Sequence, residues 1–193
     1  MARYYRRRYT RVLKPKKKWA SNIKQVTVSL PVIPPTGTAT PLESKVGIIQ
    51  EICSNAVQEG APTPVIIKTG NFKVQLDVSV YETGGNIGAA AYLMYLPEGV
   101  WLSNASYKDW YEYLSQVILK HPEWIMAWKQ LGFQEGRSST IDYDKVTFSS
   151  RLKRNLNSGD KIFLLLLVDS DSSTAPLNSV IARGIVQFWT CAN

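Results

Sequence analysis

From residue 72 to residue 81 the chain alternates without a break. Phe72, Val74, Leu76, Val78 and Val80 fall on one side, and Lys73, Gln75, Asp77, Ser79 and Tyr81 on the other. A period of two over ten residues fits a β-strand with one buried and one wet face, since a helix would scatter the same apolar residues around its circumference. Such a strand needs a second layer to cover its apolar face. The rest of the chain is therefore expected to supply further strands and close a sandwich or barrel.

Candidates for those strands recur along the sequence. Residues 145–153 alternate again, with Val146, Phe148, Ser150 and Leu152 opposite Lys145, Thr147, Ser149, Arg151 and Lys153. Residues 23–30 alternate more roughly, and residues 89–96 form another apolar run. The turn residues Gly84, Gly85 and Asn86 would make that run the antiparallel neighbour of 72–81. The seven consecutive apolar residues 162–168 read as a strand covered on both faces, and 180–191 as a long final strand. Residues 46–53 and 123–133 fit either a strand or a helix, with strand favoured for the first.

One segment changes period. Trp110, Leu114 and Val117 are spaced for a helix over about 106–120, with Ser106 as N-cap, Lys120 at the C-terminal end and Pro122 as the stop. Six to eight strands with one inserted helix make an all-β single domain, and a jelly roll fits the strand count best.

Charge divides the chain differently. The first 24 residues hold ten Lys or Arg and no Asp or Glu, so residues 25–193 keep 13 basic against 15 acidic side chains. The domain reading is thus a basic arm over 1–24 and a folded body over 25–193. An arm this polar cannot offset its ordering entropy by burial, and it is expected to stay disordered until a polyanion neutralises it.

In the arm, Arg3, Arg6, Arg7, Arg8, Arg11, Lys14, Lys16, Lys17 and Lys18 would meet phosphates, while Tyr4, Tyr5, Tyr9 and Trp19 would stack on unpaired bases. A plain solubilising tail has no use for those tyrosines. Arg151 and Lys153 are candidates for the same role on the body, against the alternative that they merely solvate a sheet face. Arg6, Arg7 and Arg8 with Lys14, Lys16, Lys17 and Lys18 also fit a nuclear localisation pattern.

Other chemistry is thinly represented. His121 is the only histidine, and Cys53 and Cys191 lack metal-ligand spacing, so no metal and no cofactor is expected. Two reduced thiols are favoured over a disulfide, because nothing indicates secretion. Asp142 and Asp144 suggest a carboxylate pair but lack the glycine and glutamate of a calcium loop. No nucleophile elbow, phosphate loop or dinucleotide fingerprint occurs, so no enzyme is expected. No apolar run is long enough for membrane insertion. Trp101, Trp110, Trp124 and Trp128 suit a core or a subunit contact better than a ligand cage.

Several strings carry a family likeness: the Arg/Tyr-rich start, the run 67–74 (IKTGNFKV), 95–100 (YLPEGV), 121–128 (HPEWIMAW) and the ending 188–193 (FWTCAN). With them the chain resembles capsid proteins of circular Rep-encoding single-stranded DNA viruses, the circovirus-like group. The resemblance implies a jelly roll that self-assembles into a T=1 icosahedral shell around a circular single-stranded DNA genome. It also implies an inward-facing arm that binds the genome and engages the host nuclear import machinery, and an outer surface that meets a host receptor. The virion and the host nucleus are the implied locations, and residues 121–128 lie near subunit contacts. The chain is shorter than familiar circovirus capsid proteins, its arm is less arginine-rich, and the family's strand between Val168 and Val180 is short or absent. A non-capsid β-barrel module that binds nucleic acid is the alternative reading.

Overall fold

The computed structural model describes residues 18–31, 44–56, 60, 65–81, 87–100, 120–132, 142–170 and 179–192. Nine strands run through them: β1 (Ala20–Pro31), β2 (Ser44–Ser54), β3 (Ile67–Tyr81), β4 (Ile87–Leu96), β5 (Ile125–Leu131), β6 (Asp142–Ser150), β7 (Arg154–Leu156), β8 (Lys161–Ser170) and β9 (Ser179–Ala192). A 3-10 turn, Pro122–Trp124, leads into β5. The helix expected over 106–120 lies outside the described residues except for Lys120.

The strands form a two-layer sandwich. One sheet has the order β1-β9-β3-β6, with β7 also paired to β3, and the other has the order β2-β8-β4-β5; every pairing is antiparallel. Early strands lie beside late ones in a nested series, β1 with β9, β2 with β8, β3 with β6 and β4 with β5. Successive pairs in that series alternate between the two sheets.

Alternation explains the core. Phe72, Val74, Leu76, Val78 and Val80 of β3 are all at most 2% exposed, as their spacing requires. They meet Ile162, Leu164, Leu166 and Val168 of β8 and Ala89, Ala91 and Leu93 of β4 in one cluster, and Phe72 stacks on Phe188 at 5.5 Å. The centre of the first sheet is tight: a Cβ on Gly184 would stand 2.0 Å from the carbonyl oxygen of Gln75, so glycine is what lets β9 close on β3. Leu165 and Met94 are buried on the opposite face of the second sheet, with Ile49, Tyr92, Trp124 and Leu167. The apolar run 162–168 is therefore covered on both faces, as expected.

Two expectations need correction. Strands β3 and β4 are not hairpin neighbours: β3 pairs with β9, β6 and β7, and β4 with β8 and β5. Both strands have an apolar face, and the two faces meet across the core instead of lying side by side. The turn residues between them, 82–86, lie outside the described residues.

The strand expected over 145–153 stops at Ser150, and the chain resumes pairing with β3 only at Arg154. Opposite the gap, β3 bulges between Gly70 and Lys73, and Asn71 takes a left-handed φ of 53°. The bulge displaces the hydrogen-bonding edge, so Arg151, Leu152 and Lys153 leave the ladder and all three are exposed.

The strand sought between Val168 and Val180 falls on residues 171–178, which lie outside the described residues. In addition, β1 begins at Ala20, inside the stretch counted above as arm.

A buried carboxylate pins one end of the sandwich. Asp160 is 3% exposed and accepts hydrogen bonds from the Tyr95 hydroxyl (2.8 Å), the Glu98 backbone N–H (3.1 Å) and the Asn157 backbone N–H (2.8 Å). Its carbonyl accepts from the Asn55 N–H, and the Asn55 side chain donates to the carbonyls of Val65 and Leu156. One node thus ties together the ends of β2, β4 and β7 and the start of β3. Cys53 and Cys191, on β2 and β9, form no disulfide.

Candidate nucleic-acid interface

Arg3, Tyr4, Tyr5, Arg6, Arg7, Arg8, Tyr9, Arg11, Lys14, Lys16 and Lys17 lie outside the described residues. Lys18 and Trp19 are described and stand at the root of the arm. Pairing of Ala20 with Thr190 fixes that root at one end of the first sheet. Lys18 is exposed, and Trp19 is 39% exposed.

The second candidate group meets the first here. Lys153 leaves the β6–β7 link with its Cγ packed over Gly70, where a Cβ would come within 2.9 Å of it. Its ammonium then reaches the Trp19 ring, 5.6 Å from the centroid. The missing side chain at Gly70 is what gives the lysine stem its track. Gly70 is in register with Trp189, and Trp189 with Ser21, so Lys153 crosses the outward row that ends beside the arm.

Arg151 is exposed on the same link, but Arg151 and Lys153 do not share a strand face as the alternation implied. Arg154 turns to other partners. It donates to the carbonyl of Glu123, and its guanidinium lies 5.3 Å above the Tyr95 ring.

Register extends the pattern. The outward residues opposite the core-facing rows are Lys73, Gln75 and Asp77 on β3, Lys145, Thr147 and Ser149 on β6, Arg183, Ile185 and Gln187 on β9, and Ser21, Ile23, Gln25 and Thr27 on β1. Lys73, Lys145 and Arg183 are exposed, and Asp77 stands in register between Lys145 and Arg183. Sequence reasoning missed these three cations. The signal was the polar side of each alternating strand, but the register that joins the strands is long-range and absent from any local window.

The opposite outer face is different in kind. Tyr92 and Trp128 stack at 6.1 Å, Trp128 is 58% exposed, and a shallow groove beside them is lined by Gly88, Ala90, Gln130 and Leu167. Trp124 is half-buried and stacks on His121 at 4.0 Å, while His121 Nδ1 lies 3.0 Å from Glu123 Oε1. A backbone N–H, and then His121, hold the Glu123 carboxyl below the ordinary carboxylate range. Trp101 and Trp110 lie outside the described residues.

Among the described residues no three His, Cys, Asp or Glu side chains gather where they would hold a metal ion. Asp144 accepts a hydrogen bond from the Gly132 N–H at 3.0 Å, which braces β5 against β6. No helix of the described residues is long and apolar enough to cross a membrane. The arrangement can attract a polyanion through unneutralised cations and offer an aromatic ring to a base.

No protein-family model matches the chain, and no curated protein matches it. Among solved structures it is similar to a bacterial lipoprotein from Bacteroides thetaiotaomicron, with 10% identity and a TM-score of 0.39 over 92% of this chain and 84% of that one. It is also similar to the nodavirus of the giant freshwater prawn Macrobrachium rosenbergii, in a semi-empty virus-like particle, with 12% identity and a TM-score of 0.31 over 93% and 95%. At such TM-scores neither similarity bears on function.

Proposed function

We propose that this chain is a non-enzymatic coat protein that self-assembles into a small closed shell and packages single-stranded DNA through its basic arm. The body in this reading is a jelly roll. Its support is the nested pairing of early with late strands, alternating between sheets, which is what a long antiparallel hairpin becomes when rolled into two layers. The apolar outer face with exposed Trp128 suits a contact between copies, where aromatic residues concentrate.

One observation carries the functional reading. An arm with nine cations and no carboxylate is rooted, through Trp19, at the start of the edge strand β1 of the sandwich. Rooting on an edge strand leaves the arm free to reach cargo while the body makes lateral contacts. Many arms acting on one polyanion release its counterions, and that release drives packaging. The T=1 shell, the circular genome and nuclear import through residues 6–8 and 14–18 follow from the resemblance and the motif.

The test is the salt dependence of binding to a labelled oligothymidine. Nine single-strand phosphate contacts give log K a slope of about −6 against log salt, roughly −0.7 per contact. Glutamine at Arg6, Arg7 and Arg8 together should reduce the slope by about 2. A slope near zero for the wild-type chain refutes the arm's role.

A further inference from the structure

We infer that the outer face of the sheet β1-β9-β3-β6 is a second binding surface for single-stranded nucleic acid, entered at Trp19 and Lys153, and that this face of the subunit points toward the cargo. The inference rests on the coat-protein reading and says which side of the body faces inward.

Segregation of charge is the first support. Among the ten basic residues of the body whose side chains are described, Lys73, Lys145 and Arg183 stand on this face and Arg151 and Lys153 lie on the link beside it, all exposed. Of the six acidic residues whose side chains are described, Asp77 is the one on this face. A near-neutral body has no need to sort its charges this way. Charge complementarity therefore selects a polyanion over an apolar or cationic partner.

Continuity with the arm is the second support. Lys18 and Trp19 run directly into β1, whose outward residues Ser21, Ile23, Gln25 and Thr27 carry no charge and form one border of the face. A strand of nucleic acid held by residues 3–17 thus passes over the sheet without meeting a repulsive row. Among the described residues, no carboxylate lies within ion-pair distance of Lys18, Lys73, Arg151 or Lys153. Their charge is available to phosphates.

The third support distinguishes single strands from duplex. Trp19 is 39% exposed with Lys153 over its ring, and Trp189 is half-buried in the adjoining outward row. An unpaired base can stack on the open indole while the ammonium, held over the ring by cation–π attraction, meets the adjacent phosphate. A base inside a duplex cannot do this.

The experiment uses the full chain and a labelled oligothymidine, read by fluorescence anisotropy across a salt series. Lys73→Gln with Lys153→Gln should reduce the slope of log K against log salt by about 1.4, two contacts at roughly 0.7 each. Lys120→Gln with Lys129→Gln removes the same charge from the other sheet and its flank, and should leave the slope unchanged. Trp19→Ala should weaken binding about tenfold, within the range for one stacked base, and Trp19→Phe should restore most of it.

Equal slope changes for the two lysine pairs would mean that only net charge matters, and would overturn the inference. Wild-type slopes for both pairs, with a reduced slope for glutamine at Arg6, Arg7 and Arg8, would overturn it while sparing the arm. No change in any variant would overturn both readings.

Discussion

Asp160→Ala tests whether the end of the sandwich nearest the proposed interface is held by a single carboxylate. The side chain is 3% exposed and accepts three hydrogen bonds, from Tyr95, Glu98 and Asn157. Hydrogen bonds to charged groups are worth about 1.5–3 kcal/mol each, so the low end summed over three gives roughly 4.5 kcal/mol. Glu98 and Asn157 are exposed and their N–H groups can turn to water, which lowers the expected loss to about 3 kcal/mol. For a domain of this size that is a fall in Tm of roughly 6–12 °C. Asp160→Asn keeps one of the two accepting oxygens and should lose about half as much. Urea unfolding followed by tryptophan fluorescence, on unassembled protein, supplies the numbers. A double-mutant cycle with Tyr95→Phe should show coupling of about 1 kcal/mol. A loss under 1 kcal/mol for Asp160→Ala, with no coupling to Tyr95, would show that the node does not carry the load assigned to it.

Other perturbations are sharper or simpler. Gly184→Ala drives a Cβ to 2.0 Å from the Gln75 carbonyl oxygen, a contact only backbone movement can relieve; soluble yield and circular dichroism should show a loss of at least about 3 kcal/mol, and near-wild-type stability would contradict the β3–β9 register. Burial, and then the bond to Asp160, push the Tyr95 phenol from 10.0 up to about 12. The folded state therefore keeps its proton where the unfolded state has lost it, so this part of stability is complete below about pH 10 and falls as pH rises toward 12. Tyr95→Phe should flatten that alkaline decline in urea midpoints, and an unchanged decline would refute the assignment. Burial, and then Glu51, push the Cys53 thiol up to about 12, so thiol reagents at pH 8 should label it far more slowly in the native than in the unfolded chain; fast native labelling would contradict its placement.

How much of this was legible depended on the range of the interaction. The alternation at 72–81 is local, and it correctly assigned every inward side chain of β3 from Phe72 to Val80. The apolar run at 162–168 revealed a strand covered on both faces for the same reason. Pairing partners were not legible: a short turn between two apolar runs suggested a hairpin, whereas core packing sends β3 and β4 to different sheets. A residue in left-handed conformation at Asn71 left no local mark on residues 151–153, yet it ends β6 and frees Lys153. At the candidate interface, residue type alone identified Trp19 and Lys153 separately. Their meeting depends on the 168-residue separation that β1 and β9 close through Asn22 and Thr190. Lys73, Lys145 and Arg183 were invisible as a group because only the register aligns them.

The most direct test of the coat-protein account is electron microscopy of the purified full-length protein together with its 260/280 nm absorbance ratio. The account predicts closed particles of uniform diameter with a nucleic-acid-rich ratio, and particles of the same diameter with a protein-like ratio when Arg6, Arg7 and Arg8 are replaced by glutamine. A persistent monomer or dimer that still binds oligothymidine would contradict it and leave a nucleic-acid-binding module in its place.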